Sequence, residues 1–346
     1  MKKTARSAFI SGFFLTGAFI SSQTIAAGEE AVLIREFIYE EAPFPSCHAS
    51  TLVEVEPGHI LAAWFGGSDE GEKDVAIWIS HRKEGKWSAP VEAARHEEVP
   101  CWNPVLWRDL KSGQILLFYK AGPSPMTWSG FLRKSSDGGQ AWTPTRILPA
   151  GIFGPIRAKP FQLEDGTLIC GGSVETWQAW GCRCEITPDV GETWTVSNPI
   201  NLPDDPFGII QPTIFRTGPG QLRMLTRSRR GKKIATATSS NDGRTWTQAS
   251  HTDLPNPSAG IDAVNLEDGR VALIYNDTER GRSPLSVALS SDQGVTWKKV
   301  LDLENEPGKE FSYPAMIQTS DGMLAATYTW RRERIRFVVV DLKRLK

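Results

Sequence analysis

The stretch Ser290-Ser291-Asp292-Gln293-Gly294-Val295-Thr296-Trp297 decides the fold of this chain, because the same motif occurs four times. In every copy a Ser or Thr is followed by Asp or Asn two residues later, by Gly four residues later and by Trp seven residues later. The other copies span 135–142, 187–194 and 239–246. A fifth, degenerate copy spans 80–87 and keeps only Ser80, Gly85 and Trp87. The five closing tryptophans are 55, 52, 52 and 51 residues apart. A period near fifty residues over most of a chain predicts a repeat architecture.

Each part of the motif suits a tight, packed turn between two strands. Asp and Asn bond to their own downstream backbone, Gly supplies a positive φ without steric cost, and Trp buries a large ring while keeping its N–H usable. Short apolar, β-branched runs flank the turn, as at Ile234–Thr238 and Leu285–Leu289. The motif therefore predicts an outer hairpin, and we call its turn the Asp/Gly/Trp corner.

A second hairpin recurs in the same frame, and we count six copies of strand, glycine turn and strand. The turn glycines are Gly58, Gly113, Gly166, Gly220, Gly269 and Gly322. Two hairpins per unit give four strands, which is the composition of a propeller blade. We therefore predict an all-β, six-bladed β-propeller. The segment Ala31–Tyr39 precedes the first inner hairpin, and we expect it to complete the last blade and close the ring.

The first 27 residues are typical of a signal peptide that is cleaved on export. Lys2, Lys3 and Arg6 are basic, Ala8–Ile20 is apolar, and small residues follow. The alternative, a retained membrane helix, is disfavoured by the basic start and the small-residue end. Residues 28–346 are then one propeller domain, periplasmic or secreted, which we expect to be a monomer with no further membrane span.

Composition excludes several kinds of partner. The 346 residues carry a net charge of −1, and nothing in them resembles a nucleic-acid-binding surface. Five cysteines occur without a C-x-x-C pair, so we expect neither a metal site nor a cofactor. Cys47 and Cys101 occupy nearly equivalent positions in the first two units. A disulfide between them and two buried free thiols both remain open, although free thiols are commoner for scattered cysteines.

Polar residues open the six inner hairpins, each followed by Pro or Ala. They are His48, Asn103, Lys159, Gln211, Asp262 and Tyr313. The innermost strands of a propeller line its channel, so equivalent positions should form one ring around the axis. All six residues differ, which favours a binding site over side chains that only solvate the channel mouth.

Three arginines add to this predicted site. Arg157 lies just ahead of Lys159, Arg227 ends the second inner strand of the fourth unit, and Arg282 opens the next hairpin of the fifth. Two arginines from neighbouring blades would form a fork-shaped receptor for a carboxylate. Arg229 and Arg230 are interpreted as solvated surface residues.

The repeated corner, the six units and the export signal resemble the sialidase (neuraminidase) superfamily, and the resemblance covers the whole mature chain. It implies that Arg227, in Leu225-Thr226-Arg227-Ser228, and Arg282, in Arg282-Ser283-Pro284-Leu285, are the second and third substrate-binding arginines. Tyr313 occupies the position of the family nucleophile. Asp74 matches the acid/base aspartate, and Asp69 is a second candidate.

The sequence departs from the family pattern at two positions. His48 stands where the family has its first arginine, and Gln211 stands where it has the glutamate that assists the tyrosine. Asp262, next to Tyr313 in the predicted ring, is the candidate substitute for that base. The chain thus resembles a divergent, sialidase-like branch of the superfamily.

Three functions remain open, and all use an acidic glycan or oligosaccharide as the partner. In a glycosidase, Tyr313 attacks the anomeric carbon and Asp74 protonates the leaving oxygen, while Arg227 and Arg282 hold the carboxylate. The other candidate substrate contacts are Gln211, Asn103, Lys159 and Arg157.

In a polysaccharide lyase acting on uronic acids, His48 and Tyr313 serve as base and acid beside Arg227. A non-catalytic propeller would instead bind glycan on exposed aromatic rings. The candidate rings are those of Trp102, Trp128, Trp177 and Trp180.

Overall fold

The computed structural model describes Met1 and residues 28–205, 207–230 and 232–345. The predicted signal peptide, apart from Met1, lies outside the described residues. The described chain contains one short 3-10 turn, Glu29–Ala31, and 25 strands, which confirms the predicted all-β class. In these segments no helix is long and apolar enough to cross a membrane.

The strands form six sheets of four or five strands, and this arrangement confirms the six-bladed propeller. Strand β1 (Val32–Phe37) is followed by the first blade, formed by β2 (Ser46–Glu56), β3 (His59–Gly67), β4 (Ala76–Lys83), β5 (Lys86–Trp87) and β6 (Val91–Ala94). The second blade is formed by β7 (Cys101–Arg108), β8 (Ile115–Ala121), β9 (Ser129–Ser135) and β10 (Arg146–Ile147). The third blade is formed by β11 (Phe161–Gln162), β12 (Leu168–Glu175), β13 (Trp180–Thr187) and β14 (Thr195–Val196). The last three are formed by β15 (Ile209–Gly218), β16 (Gln221–Ser228), β17 (Lys233–Ser239) and β18 (Ser250–Pro255); β19 (Asp262–Asn265), β20 (Val271–Tyr275), β21 (Leu285–Ser290) and β22 (Lys298–Glu304); and β23 (Phe311–Gln318), β24 (Leu324–Trp330) and β25 (Arg334–Val340).

Strand β1 completes the sixth blade, as the sequence predicts. It pairs antiparallel with β25, from Val32 opposite Val340 to Phe37 opposite Arg336. The sixth sheet therefore joins the first and last strands in the order β1-β25-β24-β23. This pairing closes the ring and fixes the six innermost strands around one channel.

The Asp/Gly/Trp corners fasten each outer hairpin to the blade before it. The Ser290 hydroxyl donates to Asp292 Oδ1 at 2.8 Å and accepts from the Gly294 N–H at 2.8 Å. Hydrogen bonds, first of all that from the Thr296 hydroxyl, lower the pKa of Asp292 to about 2. A Cβ on Gly294 would lie 2.6 Å from Cζ of Phe215 in the preceding blade, so only glycine fits between the two.

All five cysteines are buried free thiols. Cys47 on β2 and Cys101 on β7 therefore form no disulfide, which settles the alternative that the sequence leaves open. Burial raises the pKa of each of these two thiols to about 12, so they remain protonated and pack as small apolar side chains.

Candidate active site

The innermost strands of four blades contain a two-residue irregularity at the same level of the channel. Strand pairing shifts at this point in β2, β7, β15 and β23. The first residue of each irregularity has a positive φ, namely 57° at Ala49, 38° at Asn103, 57° at Gln211 and 50° at Tyr313. Positive φ is uncommon for residues other than glycine, and such strain concentrates at functional sites. The irregularity therefore makes this level of the channel the candidate functional site.

The predicted equivalence of His48 with Asn103, Gln211 and Tyr313 is wrong by one residue. The pairing places Ala49 at the equivalent position, and His48 aligns with the residue before it in the other blades. The error arises because Ala49 is followed by Ser50, whereas the other three residues are followed by proline. His48 nevertheless lies at the site, with its ring centroid 4.0 Å from that of Tyr313.

Tyr313 is the centre of the site, and its hydroxyl oxygen accepts from two neighbours. Arg227 Nη1 donates to it at 2.6 Å, and Gln211 Nε2 donates at 3.4 Å. Arg227 also donates to Gln211 Oε1 at 3.2 Å, which fixes the orientation of the amide. Because both neighbours donate, the proton of the Tyr313 hydroxyl is left for a third partner.

Three guanidinium groups surround the Tyr313 ring. The Cζ atoms of Arg157, Arg227 and Arg282 lie 5.4, 5.8 and 5.5 Å from its centroid. Arg157 is buried and donates to the backbone carbonyls of Ile261 and Pro314. Burial lowers its pKa to about 10, so it remains charged at neutral pH. The three cations make this end of the channel suitable for an anion.

Sequence reasoning missed two residues, Arg332 and Glu310. Glu310 Oε1 accepts from Arg282 Nη1 at 2.7 Å and from Arg332 Nε at 2.8 Å, so it holds both arginines. Arg332 lies in the turn between β24 and β25 and also pairs with Glu70. The available sequence signal was the pair Arg331-Arg332 at the turn of the last hairpin, which has no Asp/Gly/Trp corner. In the structure Arg332 has a φ of 64° in this turn.

His48 is a neutral, buried imidazole. Its Nδ1 lies 2.9 Å from Thr329 Oγ1, and its Nε2 has no hydrogen-bond partner within the described segments. Burial, followed by the nearby charge of Arg332, holds the pKa of His48 well below its ordinary value. Nε2 can accept a hydrogen bond in the tautomer that carries the proton on Nδ1, whereas the lowered pKa opposes protonation of the ring at neutral pH.

Asp262 and Lys159 pair with each other. Lys159 Nζ donates to Asp262 Oδ2 at 2.8 Å, the Thr213 hydroxyl donates to Oδ1 at 2.9 Å, and the Met316 N–H donates to Oδ2 at 2.9 Å. Asp262 makes no hydrogen bond with Tyr313 in the part of the chain that the structure describes. Its contacts do not support the predicted role as the base and instead join the third to sixth blades. Lys159 also borders a cavity of about 440 Å³ that all six blades line.

Lys120 occupies the position in the second blade that Arg227 occupies in the fourth. Lys120 pairs with Trp102 one residue before the irregularity, as Arg227 pairs with Ile210. Lys120 is fully buried, and its ammonium group donates to the carbonyl oxygens of Pro155 and Asn103. Burial lowers its pKa to about 7. Lys120 thus bonds to the backbone of Asn103 and has no solvent-exposed surface.

Asp74 and Asp69 lie on the exposed loop between β3 and β4. The Asp74 carboxylate accepts from the Ser68 N–H at 2.9 Å and from the Ser68 hydroxyl at 2.8 Å. Glu70 of the same loop pairs with Arg332, so the loop borders the site. Neither aspartate is hydrogen-bonded to Tyr313, and which one acts as the acid stays a prediction.

The four candidate sugar-stacking tryptophans differ in exposure. Trp102 and Trp128 are buried and contact each other, with ring centroids 6.1 Å apart. Trp177 is 77% exposed at the tip of the β12–β13 hairpin. The Trp180 ring is half-buried and lies 5.8 Å from Arg227 Cζ. Only Trp177 and Trp180 are therefore accessible enough to stack on a sugar.

Comparison with known proteins gives three further observations. The family model for the BNR repeat-like domain matches residues 58–326. A curated sialidase of Bacteroides fragilis (strain YCH46) is 26% identical over 231 residues, which are 61% of this chain and 41% of the relative. The chain thus spans about two fifths of the length of the curated relative that it matches.

Solved structures share the fold. A protein of unknown function from Dyadobacter fermentans DSM 18053 superimposes with a TM-score of 0.74 at 18% identity, covering 89% of this chain and 98% of its own. The NanB sialidase of Streptococcus pneumoniae superimposes with a TM-score of 0.74 at 14% identity, covering 90% and 71%. Together with the family match over most of its length, these similarities show that the chain belongs to the BNR repeat-like domain family and is a propeller of the sialidase type.

Proposed function

We propose that this protein is a sialidase-like glycoside hydrolase, of the exo-alpha-sialidase type, that acts on a terminal acidic sugar. The related sialidase supports a glycoside hydrolase of this type at the level of the family. The observation that carries the proposal is the 2.6 Å hydrogen bond from Arg227 to Tyr313, with Arg157 and Arg282 against the same ring. A nucleophile among cations suits an anionic substrate.

In this mechanism the guanidinium groups of Arg227 and Arg282 hold the carboxylate of the sugar and place its anomeric carbon beside Tyr313. A neutral tyrosine suits this position because a carboxylate nucleophile would repel the bound anion. The Tyr313 oxygen bonds to the anomeric carbon, the glycosidic bond breaks, and Asp74 or Asp69 protonates the leaving oxygen. Water then hydrolyses the tyrosyl-sugar bond.

The hydroxyl proton of Tyr313 needs an acceptor when the oxygen attacks. Gln211 cannot take it, because its amide donates to the same oxygen. Asp262 is occupied by Lys159, Thr213 and Met316. We therefore assign the proton to His48, whose ring centroid lies 4.0 Å from that of Tyr313 and whose Nε2 has no hydrogen-bond partner in the described structure. Burial and the nearby arginines lower the pKa of His48 in the empty site, and the carboxylate of a bound sugar would raise it toward the range of a general base.

The same His48 favours a second candidate function, elimination from a uronic-acid glycan. A neutral histidine can remove the proton on the carbon next to a carboxylate, while Arg227 neutralises that carboxylate. The electron pair forms a double bond, the bond to the neighbouring sugar breaks, and Tyr313 protonates the leaving oxygen. The reaction consumes no water and needs no carboxylate beside Tyr313.

Incubation of the protein with acidic glycans, followed by mass spectrometry of the products, distinguishes the two reactions. We expect cleavage of an α-sialoside with the addition of one water and no ultraviolet-absorbing product. An unsaturated uronate formed without water would replace the hydrolase with the lyase. Tyr313→Phe should abolish cleavage, whereas the control Tyr39→Phe, in the core between the first and last blades, should not. A folded Tyr313→Phe protein with unchanged turnover would refute both mechanisms.

A further inference from the structure

Beside Arg227, four side chains form an alternating stack of aromatic rings and guanidinium groups. Arg229 Cζ lies 4.6 Å from the ring centroid of Trp180 and 5.0 Å from that of Phe207, and Arg230 Cζ lies 3.5 Å from the Phe207 centroid. We call Trp180, Arg229, Phe207 and Arg230 the ladder. It spans the top of the third and fourth blades, and both of its arginines are exposed.

The backbone places the ladder where the two blades meet. Gly208 has a φ of 56°, and a Cβ on it would lie 2.1 Å from the carbonyl oxygen of Trp180. Only glycine allows the start of the fourth blade to approach the end of the β12–β13 hairpin so closely. The Arg229 N–H donates to the Gly208 carbonyl at 3.1 Å, so the backbone of Arg229 is held at the same junction of the two blades.

The arginines of the ladder lack the partners that surface arginines usually have. No carboxylate in the described residues forms an ion pair with Arg229 or Arg230, whereas Arg331 and Arg334 each have one and Arg332 has two. Stacking on aromatic faces orders a guanidinium group through its plane and leaves its N–H groups at the edge for a ligand. The ladder therefore presents ordered, unused donors.

The carboxyl group of Glu175 borders the ladder but does not neutralise it. Glu175 pairs across the hairpin with Trp180, and its Oε1 is buried without a hydrogen-bond partner among the described residues. Burial raises the pKa of Glu175 above its ordinary value, against the influence of Arg227 and Arg229. Because Oε1 is buried, it is not exposed to a ligand, and among the described residues Glu175 forms no ion pair with Arg229 or Arg230.

The ladder is continuous with the Tyr313 site through Trp180. Arg227 and Arg229 lie 5.8 and 4.6 Å from the centroid of the same Trp180 ring. Their guanidinium groups are therefore no further apart than the sum of these distances, which is comparable with the reach of two linked sugar rings. A carboxylate on Arg227 and a second anionic group on Arg229 can thus belong to neighbouring units of one chain.

We propose that the ladder is a second anion subsite, and that the substrate is a glycan in which an acidic unit follows the terminal acidic sugar. This inference rests on the proposed function, because it takes the Arg227 site as the place of the terminal sugar. Trp180 stacks on the second ring, while Arg229 and Arg230 hold its acidic group. The exposed Trp177 extends the same surface toward further units.

Calorimetry with Tyr313→Phe protein, which is not expected to cleave its ligand, tests the subsite with two matched pairs of probes. One pair is sialic acid and its α2,8-linked trimer, and the other is galacturonic acid and its trimer. We expect at least one trimer to bind at least tenfold more tightly than its monomer. The double substitution Arg229→Ala and Arg230→Ala should reduce that ratio to about twofold or less. Arg244→Ala, an exposed arginine on another surface, is the matched control and should keep the ratio.

The outcomes separate the subsite from the hydrolase. Equal binding of trimer and monomer in both pairs, or a ratio that survives the double substitution, would overturn the ladder while wild-type cleavage still supports the hydrolase. If the binding ratio depends on Arg229 and Arg230 while the wild-type protein hydrolyses neither trimer, the subsite would be supported and the hydrolase overturned. Failure of all four probes to bind would overturn both.

Discussion

Replacement of Lys120 by methionine should change how stability depends on pH. The ammonium group is fully buried against the carbonyl oxygens of Pro155 and Asn103, and burial lowers its pKa from 10.5 to about 7. In the unfolded chain the pKa of a lysine is about 10.4. Between these values the unfolded state binds more protons than the folded state, so the free energy of unfolding rises with pH.

The magnitude follows from the two pKa values. The full slope is about 1.4 kcal/mol per pH unit, and at pH 7 the folded group is half protonated. The wild-type protein should therefore gain about 2 kcal/mol from this group between pH 7 and pH 9. In Lys120→Met this gain is absent, because methionine has nearly the same length and no charge. The two carbonyl oxygens lose a donor, which costs about 1–3 kcal/mol each, but that cost does not vary with pH.

Urea unfolding at pH 7, 8 and 9 measures the difference between the two proteins. We expect the free-energy advantage of the wild type over Lys120→Met to grow by about 2 kcal/mol across this range. The exposed Lys298 is the control, and Lys298→Met should give a curve parallel to that of the wild type. Parallel curves for Lys120→Met and the wild type would refute the assignment of a depressed lysine pKa to this site.

Three further predictions concern the site and the corners. Arg227→Lys keeps the charge but loses the planar fork, so calorimetry should show at least about tenfold weaker binding of an acidic glycan, and unchanged affinity would argue against the fork. Gly294 has a φ of 81° and contacts Phe215, so Gly294→Ala should lower the free energy of unfolding in urea by about 2–4 kcal/mol. Gly269 has a φ of 87° in open space, so Gly269→Ala should lower it by only about 1–2 kcal/mol. Equal losses would contradict the packing role of Gly294. Because His48 is neutral in the folded state, the free energy of unfolding should fall by up to about 1.4 kcal/mol per pH unit below about pH 6.5, and His48→Gln should flatten this fall in thermal unfolding.

The fold could be predicted because its signals are local and repeated. The hydrogen bonds of Ser290 and Asp292 that shape the corner Ser290–Trp297 lie within eight consecutive residues, so the pattern is visible in the sequence. Ring closure could be predicted because the sixth unit lacks its outer strand while Ala31–Tyr39 is left over. Both inferences follow from counting the repeated hairpins along the sequence, and the strand pairing confirms them.

The site was less predictable because its contacts join distant segments. Glu310 matters only because it bonds both Arg282 and Arg332, which come from different turns. Asp262 lies in the expected ring, but Lys159 and the backbone N–H of Met316, both from other blades, donate to its carboxylate. The off-by-one placement of His48 has a similar cause, since the irregularity in the first blade lacks the proline that marks it elsewhere. Such facts depend on side-chain reach, which a linear pattern does not contain.

The pairing of β1 with β25 imposes an order of events on folding. Val32 finds its partner Val340 only after 308 residues of separation, so this strand stays an open edge until the last blade has been made. During synthesis the early blades can fold, but the ring cannot lock, and an unpaired edge invites association with other chains. Closure is also the contact that costs the most chain entropy and so should be slow. A chaperone that shields residues 32–37 would therefore protect the assembling propeller at its most exposed stage.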